Sequence, residues 1–215
     1  MPNTTTHVST YKFDVDSPKS VLEIMLSNPL FVAGFLGHVA ILEAYDPKKD
    51  DFAPPSGVTG VPTKFKVVYL FGTPEGKLAT KLGEMEGPIL FMDSITYRGS
   101  TEDNRLKWEL TFTFKEVAPG RTRVTVINKT EEETGMLDRF LNKSQFDLAD
   151  HVVKEHIIPF VKLYIHQAAS LRESVVQGLV NYKTLAVEEG YVSEVMAKLM
   201  RLAKERKAEH TMISI

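Results

Sequence analysis

The chain has 215 residues, 43% hydrophobic and 25% charged, with a formal net charge of −2. These totals fit one globular domain plus an appendage, or one large domain, and offer no basic surplus for nucleic acid. The absence of cysteine excludes disulfides, thiolate nucleophiles and thiolate metal sites.

No early basic-then-apolar segment resembles a secretion signal, and no run of about 18 apolar residues is long enough to span a bilayer. A cytoplasmic protein is the expectation. Asn3 and Asn128 match the glycosylation pattern, which carries no weight without a secretion signal.

Residues 1–9 are polar and are expected to be loose. Tyr11, Phe13 and Val15 alternate with Lys12, Asp14 and Asp16, the period of a half-buried strand. Ser17-Pro18 and Asn28-Pro29 each place a capping side chain before a first-turn proline, predicting two short helices in succession. A strand follows over His38–Tyr45. The stretch Asp46–Thr63 is rich in proline and glycine, and a connection of that length is often a lid or a binding loop.

From Lys64 the pattern becomes a meander. Strands are predicted over Phe65–Phe71, Lys77–Glu86, Ile89–Gly99, Arg105–Glu116 and Arg121–Asn128. Their turns are expected at Gly72–Gly76, Gly87-Pro88, Thr101–Asn104 and Pro119-Gly120. The clearest alternation is Leu106, Trp108, Leu110, Phe112 and Phe114 against Arg105, Lys107, Glu109, Thr111 and Thr113.

Thr130 and Glu133 have capping-box spacing, and a long helix is predicted from about Thr134 to Ser170. Unbroken, it would be about 55 Å long, beyond the roughly 33 Å of a ten-residue strand. Leu137, Leu141, Leu148 and Val152 form one apolar stripe. Phe146, Val153, Ile157, Phe160, Val161, Tyr164, Ala168 and Leu171 form another. At α-helical spacing the two lie on opposite sides, so two partner surfaces are expected, with a kink at Pro159. Beyond residue 170 the sequence predicts a basic amphipathic helical extension, usually a solvated face.

The order is strand, two short helices, six further strands and a long helix. It resembles the helix-grip fold of the START-like superfamily, which includes lipid-transfer domains, the birch-pollen-allergen (Bet v 1-like) family and polyketide cyclase-like proteins. The resemblance covers about Tyr11 to Ser170 and is carried by the paired helices at Ser17-Pro18 and Asn28-Pro29 and by the final helix. It implies an α+β domain over 1–170, with a curved seven-stranded antiparallel sheet wrapped round the long helix; the helical extension over 171–215 is not explained by that fold. It also implies a cavity between sheet and helix for an apolar small molecule or lipid. On that basis the ligand-binding candidates are Phe35, Phe91, Ile95, Tyr97, Trp108, Leu110, Phe112, Leu148 and Val152.

Two polar groups are candidates for the cavity. Asp93 shares a row with Ile89, Phe91, Ile95 and Tyr97. If that row faces inward, a carboxylate enters an apolar space and its pKa rises; if Leu90 and Met92 face inward, it is solvated. Asp147, His151 and Glu155 stand at four-residue steps and on an α-helix share one side, as an acid–base set or a plain stabilising row. His151 and His156 are five apart rather than four, so no metal set, cofactor or catalytic set is expected. The sequence therefore points to a binder or carrier rather than an enzyme. A cyclase- or aldolase-like enzyme using Asp93 or His151 is one alternative. An interaction module, homodimeric through the second stripe and the extension, is the other.

Overall fold

A computed structural model describes residues 4–36, 38–58, 60–72, 77–133, 147–168 and 213–214. Its elements are β1 (Thr4–Val15), α1 (Lys19–Leu26), α2 (Pro29–Leu36), β2 (Val39–Asp46), β3 (Asp51–Ala53), β4 (Lys64–Gly72), β5 (Lys77–Phe91), β6 (Ser94–Thr101), β7 (Leu106–Ala118) and β8 (Arg121–Glu133). The final helix follows in three parts: α3 (Leu148–His151), a π-helical segment (Val152–Ile157) and α4 (Ile158–Ala168). A two-residue strand, β9 (Ile213–Ser214), pairs with Lys77 and Leu78 of β5. Of the expected extension 171–215, only these two residues are described.

The sheet runs β1-β8-β7-β6-β5-β4-β2-β3, every neighbouring pair antiparallel. Its main path therefore holds eight strands, not seven. The extra strand is β3, in the stretch read as a long loop, where Phe52 stacks edge-on to Tyr45 at 5.6 Å.

Three boundaries differ from the sequence reading. β1 starts at Thr4 rather than after residue 9, because β8 offers it a full ladder from Val15↔Thr122 to Thr4↔Glu133, and its threonines favour extended backbone. For the same reason Thr130–Glu133 continue β8 and do not cap a helix. β5 runs through Gly87-Pro88 with a register shift between Glu86 and Ile89. There the Gly87 N–H donates sideways to Thr63 O at 2.8 Å. The turn into β6 falls instead at Met92–Asp93, with Met92 at φ 45°.

The two short helices form where the prolines predict. Asn28 caps α2, its Oδ1 accepting from the N–H groups of Leu30 and Phe31 at 3.0 and 3.3 Å. Ser17 makes no side-chain cap to α1; its carbonyl accepts from the Thr122 hydroxyl at 2.8 Å. Leu22, Met25 and Leu26 of α1 are buried against the sheet.

One core joins sheet and helices. Leu148, Val152, Val153, Ile157, Val161 and Ile165 are all buried in it, so the described parts of the two stripes face a single core rather than opposite sides. The π-helical segment accounts for this. The Ile158 N–H bonds back to Val153 O, five residues earlier, and the wider turn reduces the rotation between the stripes. Leu137, Leu141, Phe146 and Leu171 lie outside the described residues. Among the described residues no helix is long and apolar enough to cross a membrane.

Candidate functional site

The apolar face of the sheet and the final helix enclose a cavity of about 40 Å³. Leu36, Leu148 and Val152 line it from the helices, and Tyr69, Trp108 and Leu110 from the sheet. Its polar wall is His38, Asn128 and Thr130. Among the described residues, the free space there is far smaller than the several hundred Å³ of a typical ligand pocket.

Tyr69 fixes the floor. Its hydroxyl donates to Glu84 O at 2.7 Å and accepts from the Trp108 indole N–H at 3.0 Å. Burial pushes the Tyr69 hydroxyl well above its ordinary pKa. The ring lies where Gly83 and Gly99 leave room: a Cβ on either glycine would overlap it. The inward row of β8 changes character as it approaches the cavity, from Val124 and Val126 to Asn128, Thr130 and Glu132, all buried. Asn128 Nδ2 donates to Ala149 O at 3.4 Å, while Oδ1 is buried with no hydrogen-bond partner. A buried amide of this kind is no acceptor for a glycan.

Three imidazoles stand beside the cavity. His38, between α2 and β2, directs Nδ1 at Leu70 O, 2.8 Å away. A carbonyl only accepts, so Nδ1 carries the proton and Nε2 bears a lone pair. That Nε2 is buried and has no partner. On the final helix, His151 Nε2 and His156 Nε2 are 3.1 Å apart. The ring centroids are 5.4 Å apart for His38–His151 and 4.9 Å for both His38–His156 and His151–His156. Burial pulls the pKa of His38 and of His156 below the ordinary value, which favours the neutral ring. The spacing of five that argued against a metal set is an α-helical argument; the π-helical segment stacks residues five apart.

Of the expected ligand-binding residues, Trp108, Leu110, Leu148 and Val152 line the cavity. Ile95, Tyr97 and Phe112 are buried in the core but are not among the lining residues. The Tyr97 hydroxyl donates to Leu26 O at 2.9 Å. Phe91 does not line the cavity, and of the two readings of Asp93 the inward one is excluded. Once the turn falls at Met92–Asp93, both belong to the hairpin tip, where Phe91 is 70% exposed and the Asp93 carboxylate pairs with Lys19. The solvated reading of Asp93 is the one that stands, and it supplies no cavity acid. The side chain of Phe35 lies outside the described residues. His151 turns to His156 and His38, while Asp147 caps α3 by accepting from the Asp150 N–H at 3.0 Å. His38, Tyr69, Asn128, Thr130 and His156 were missed. For Asn128 and Thr130 the signal was present, since they extend the inward row of Val124 and Val126.

A wider open depression of about 490 Å³ lies over Lys64, Glu84, Glu86, Arg98, Lys107 and Glu109, among others. Charges of both signs pair there, as Arg98 does with Glu86 at 2.6 Å, which is the ordinary condition of a solvated sheet face.

No protein-family model matches the sequence, and no curated protein matches it. Solved structures do match. A START superfamily protein from Mycobacterium smegmatis is 14% identical over 75% of this chain and 98% of its own, with a TM-score of 0.46. An aromatase/cyclase from Streptomyces is 13% identical over 85% and 96%, with a TM-score of 0.40. Norcoclaurine synthase from Thalictrum flavum is 11% identical over 71% and 87%, with a TM-score of 0.39. At TM-scores under 0.5, the architecture rests on the strand order and registers above.

Proposed function

We propose that the protein binds a small molecule with an apolar body and one polar end, seated between the sheet and the final helix. One observation carries the reading. The cavity wall is apolar except for His38, Asn128 and Thr130, and His38 Nε2 and Asn128 Oδ1 are buried without a hydrogen-bond partner. An unpaired buried polar atom costs about 1–3 kcal/mol, and a ligand donor or an ordered water removes that cost.

At about 40 Å³ the cavity admits a ligand only by widening. The wall most suited to move is α2. It meets α4 through Phe31 and Phe160, edge-on at 5.4 Å, and Leu36 at its end lines the cavity. Entry on this reading passes beside Leu36.

The test is titration with 1-naphthol, an apolar fluorescent probe whose single hydroxyl is a hydrogen-bond donor, together with native mass spectrometry of the purified chain. Trp108 is the single tryptophan and lines the cavity, so its emission reports occupancy directly. The expected result is saturable uptake of one probe per chain, weakened by Asn128→Leu and strengthened by Phe31→Ala. Absence of uptake by wild type and by Phe31→Ala alike overturns the reading.

A further inference from the structure

We propose that His38, His151 and His156 form a binding site for a divalent transition-metal ion, Zn²⁺ or a first-row neighbour, through three imidazole nitrogens. The donor nitrogens all lie within 4.8 Å of one another. With bonds of about 2.0–2.1 Å, tetrahedral ligands sit about 3.3 Å apart. The 3.1 Å between His151 Nε2 and His156 Nε2 is already close to that edge. The His38 nitrogen, within 4.8 Å of the other two, closes the triangle by moving up to about 1.5 Å towards that edge.

One outer-shell contact is also in place. Metal-bound histidines characteristically donate their second N–H to a carbonyl or carboxylate, which fixes the tautomer. His38 does so to Leu70 O at 2.8 Å, and that bond leaves Nε2 as the free donor. This same Nε2 is buried without a hydrogen-bond partner, on a ring whose centroid lies 5.4 and 4.9 Å from those of His151 and His156. An imidazole pair satisfying itself by one N–H···N bond explains His151 and His156, but leaves His38 Nε2 unaccounted for. Three coordinating nitrogens account for all three rings.

The backbone builds the site at a specific point. On an α-helix, residues five apart diverge around the axis. Here His151 directly precedes the π-helical segment and His156 lies within it, and the i→i+5 pattern brings the two rings to one side. Pro159 sits just beyond, with no N–H to continue an α-helical ladder. Such segments recur at functional sites because they realign side chains at a local cost in helix regularity.

The donor set selects the ion. Three neutral nitrogens without thiolate suit Zn²⁺, Co²⁺, Ni²⁺ or Cu²⁺, whereas Mg²⁺ and Ca²⁺ prefer oxygen. Three protein ligands leave a fourth position for water or a ligand atom. His38 and Val152 both line the cavity, so that position adjoins the space assigned above to the polar end of a small molecule. The metal site itself stands on the histidine geometry and does not depend on the apolar-ligand reading.

The experiment uses the full chain, dialysed against a chelator and titrated with Zn²⁺ in competition with a chromophoric indicator. A parallel Co²⁺ titration is read by its visible absorption. The expected result is one ion per chain, the intense bands of a tetrahedral Co²⁺ site and a rise in thermal midpoint on loading. Losing even an outer-shell partner costs about 10–100-fold in affinity. His38→Asn, His151→Asn and His156→Asn are therefore each expected to lose about 100-fold or more, while His7→Asn binds as wild type does. If His38→Asn does not fold by circular dichroism, the two helix variants carry the test. Stoichiometry well below one ion per chain, or wild-type affinity in folded His151→Asn and His156→Asn, overturns the proposal. The apolar probe is absent from these titrations, so failure of probe uptake leaves their result intact.

Discussion

Gly99→Ala tests the packing that closes the cavity floor. Gly99 pairs with Trp108 across β6 and β7 and with Met85 across β5 and β6. A Cβ added there would overlap the Tyr69 hydroxyl. It would also lie 2.6 Å from Glu84 O and 2.8 Å from Trp108 Nε1. These are the three groups of the hydrogen-bonded floor, and one of them is backbone, so a rotamer change alone does not relieve the clash. Overpacking costs about 1–3 kcal/mol, and a buried indole N–H or hydroxyl left unpaired costs about 1–3 kcal/mol more. The expected loss is roughly 2–6 kcal/mol from these two terms together. At a urea m-value of about 2 kcal/mol/M, that lowers the midpoint by about 1–3 M. Urea melts followed by far-UV circular dichroism and by Trp108 emission measure both stability and the state of the floor. Gly34→Ala is the control. Gly34 is exposed on α2 and a Cβ there meets nothing within 4 Å, so the change stabilises by about 0.5–1 kcal/mol. The reasoning is refuted if Gly99→Ala melts within about 0.5 kcal/mol of wild type, below either cost taken alone, with Trp108 emission unmoved.

Three further outcomes are expected. Burial holds the hydroxyls of Tyr97 and Tyr69 protonated well above the ordinary value of 10.0. The unfolded chain ionises first, so their contribution is complete below pH 10 and is lost as pH rises above it. Tyr97→Phe should cost about 1 kcal/mol at pH 8 yet lose less than wild type between pH 9 and pH 11 in urea melts; equal losses would refute the assignment. Burial opposes the ionisation of Asp103, but hydrogen bonds from Lys81 and Thr101 outweigh it and hold the carboxyl down at about 2. That contribution is present above the unfolded value near 3.9 and fades as pH falls towards 2. With the side chain 41% exposed, Asp103→Asn should flatten the acid limb by only a few tenths of a kcal/mol. Asn28→Ala removes the cap of α2 and should cost about 1 kcal/mol in chemical denaturation, a loss that Asn28→Ser largely restores.

Element order was readable because it depends on short-range signals. The apolar rows of β4, β7 and β8 and the prolines at 18 and 29 act within a few residues of themselves. Boundaries set by a partner strand were not readable. β1 reaches Thr4 because β8 supplies a ladder, and β3 forms because β2 has an edge to offer. The misplaced turn had the largest functional consequence. Reading Gly87-Pro88 as a strand end, rather than a shift in register, kept Phe91 and Asp93 within a strand and left an inward-facing acid open as one reading, where the chain has an exposed hairpin tip.

The histidines show a different limit. Every spacing rule applied to the final helix assumed 3.6 residues per turn. On that assumption two apolar stripes diverge, and His151 faces Asp147 and Glu155 instead of His156. One π-helical segment changes all of these relations together. It gathers Leu148, Val152, Val153 and Ile157 on one core, and it stacks the imidazoles that the same rule had separated. Pro159 was visible in the sequence and correctly marked a helix irregularity, but a proline does not say whether the chain bends or widens. A widened turn conserves the apolar burial on both sides of the proline, whereas a bend would have turned one stripe away from the sheet. The burial that selects the π-helical segment is therefore also what brings His151 and His156 to His38, so the candidate metal site and the packing of the final helix have one physical cause.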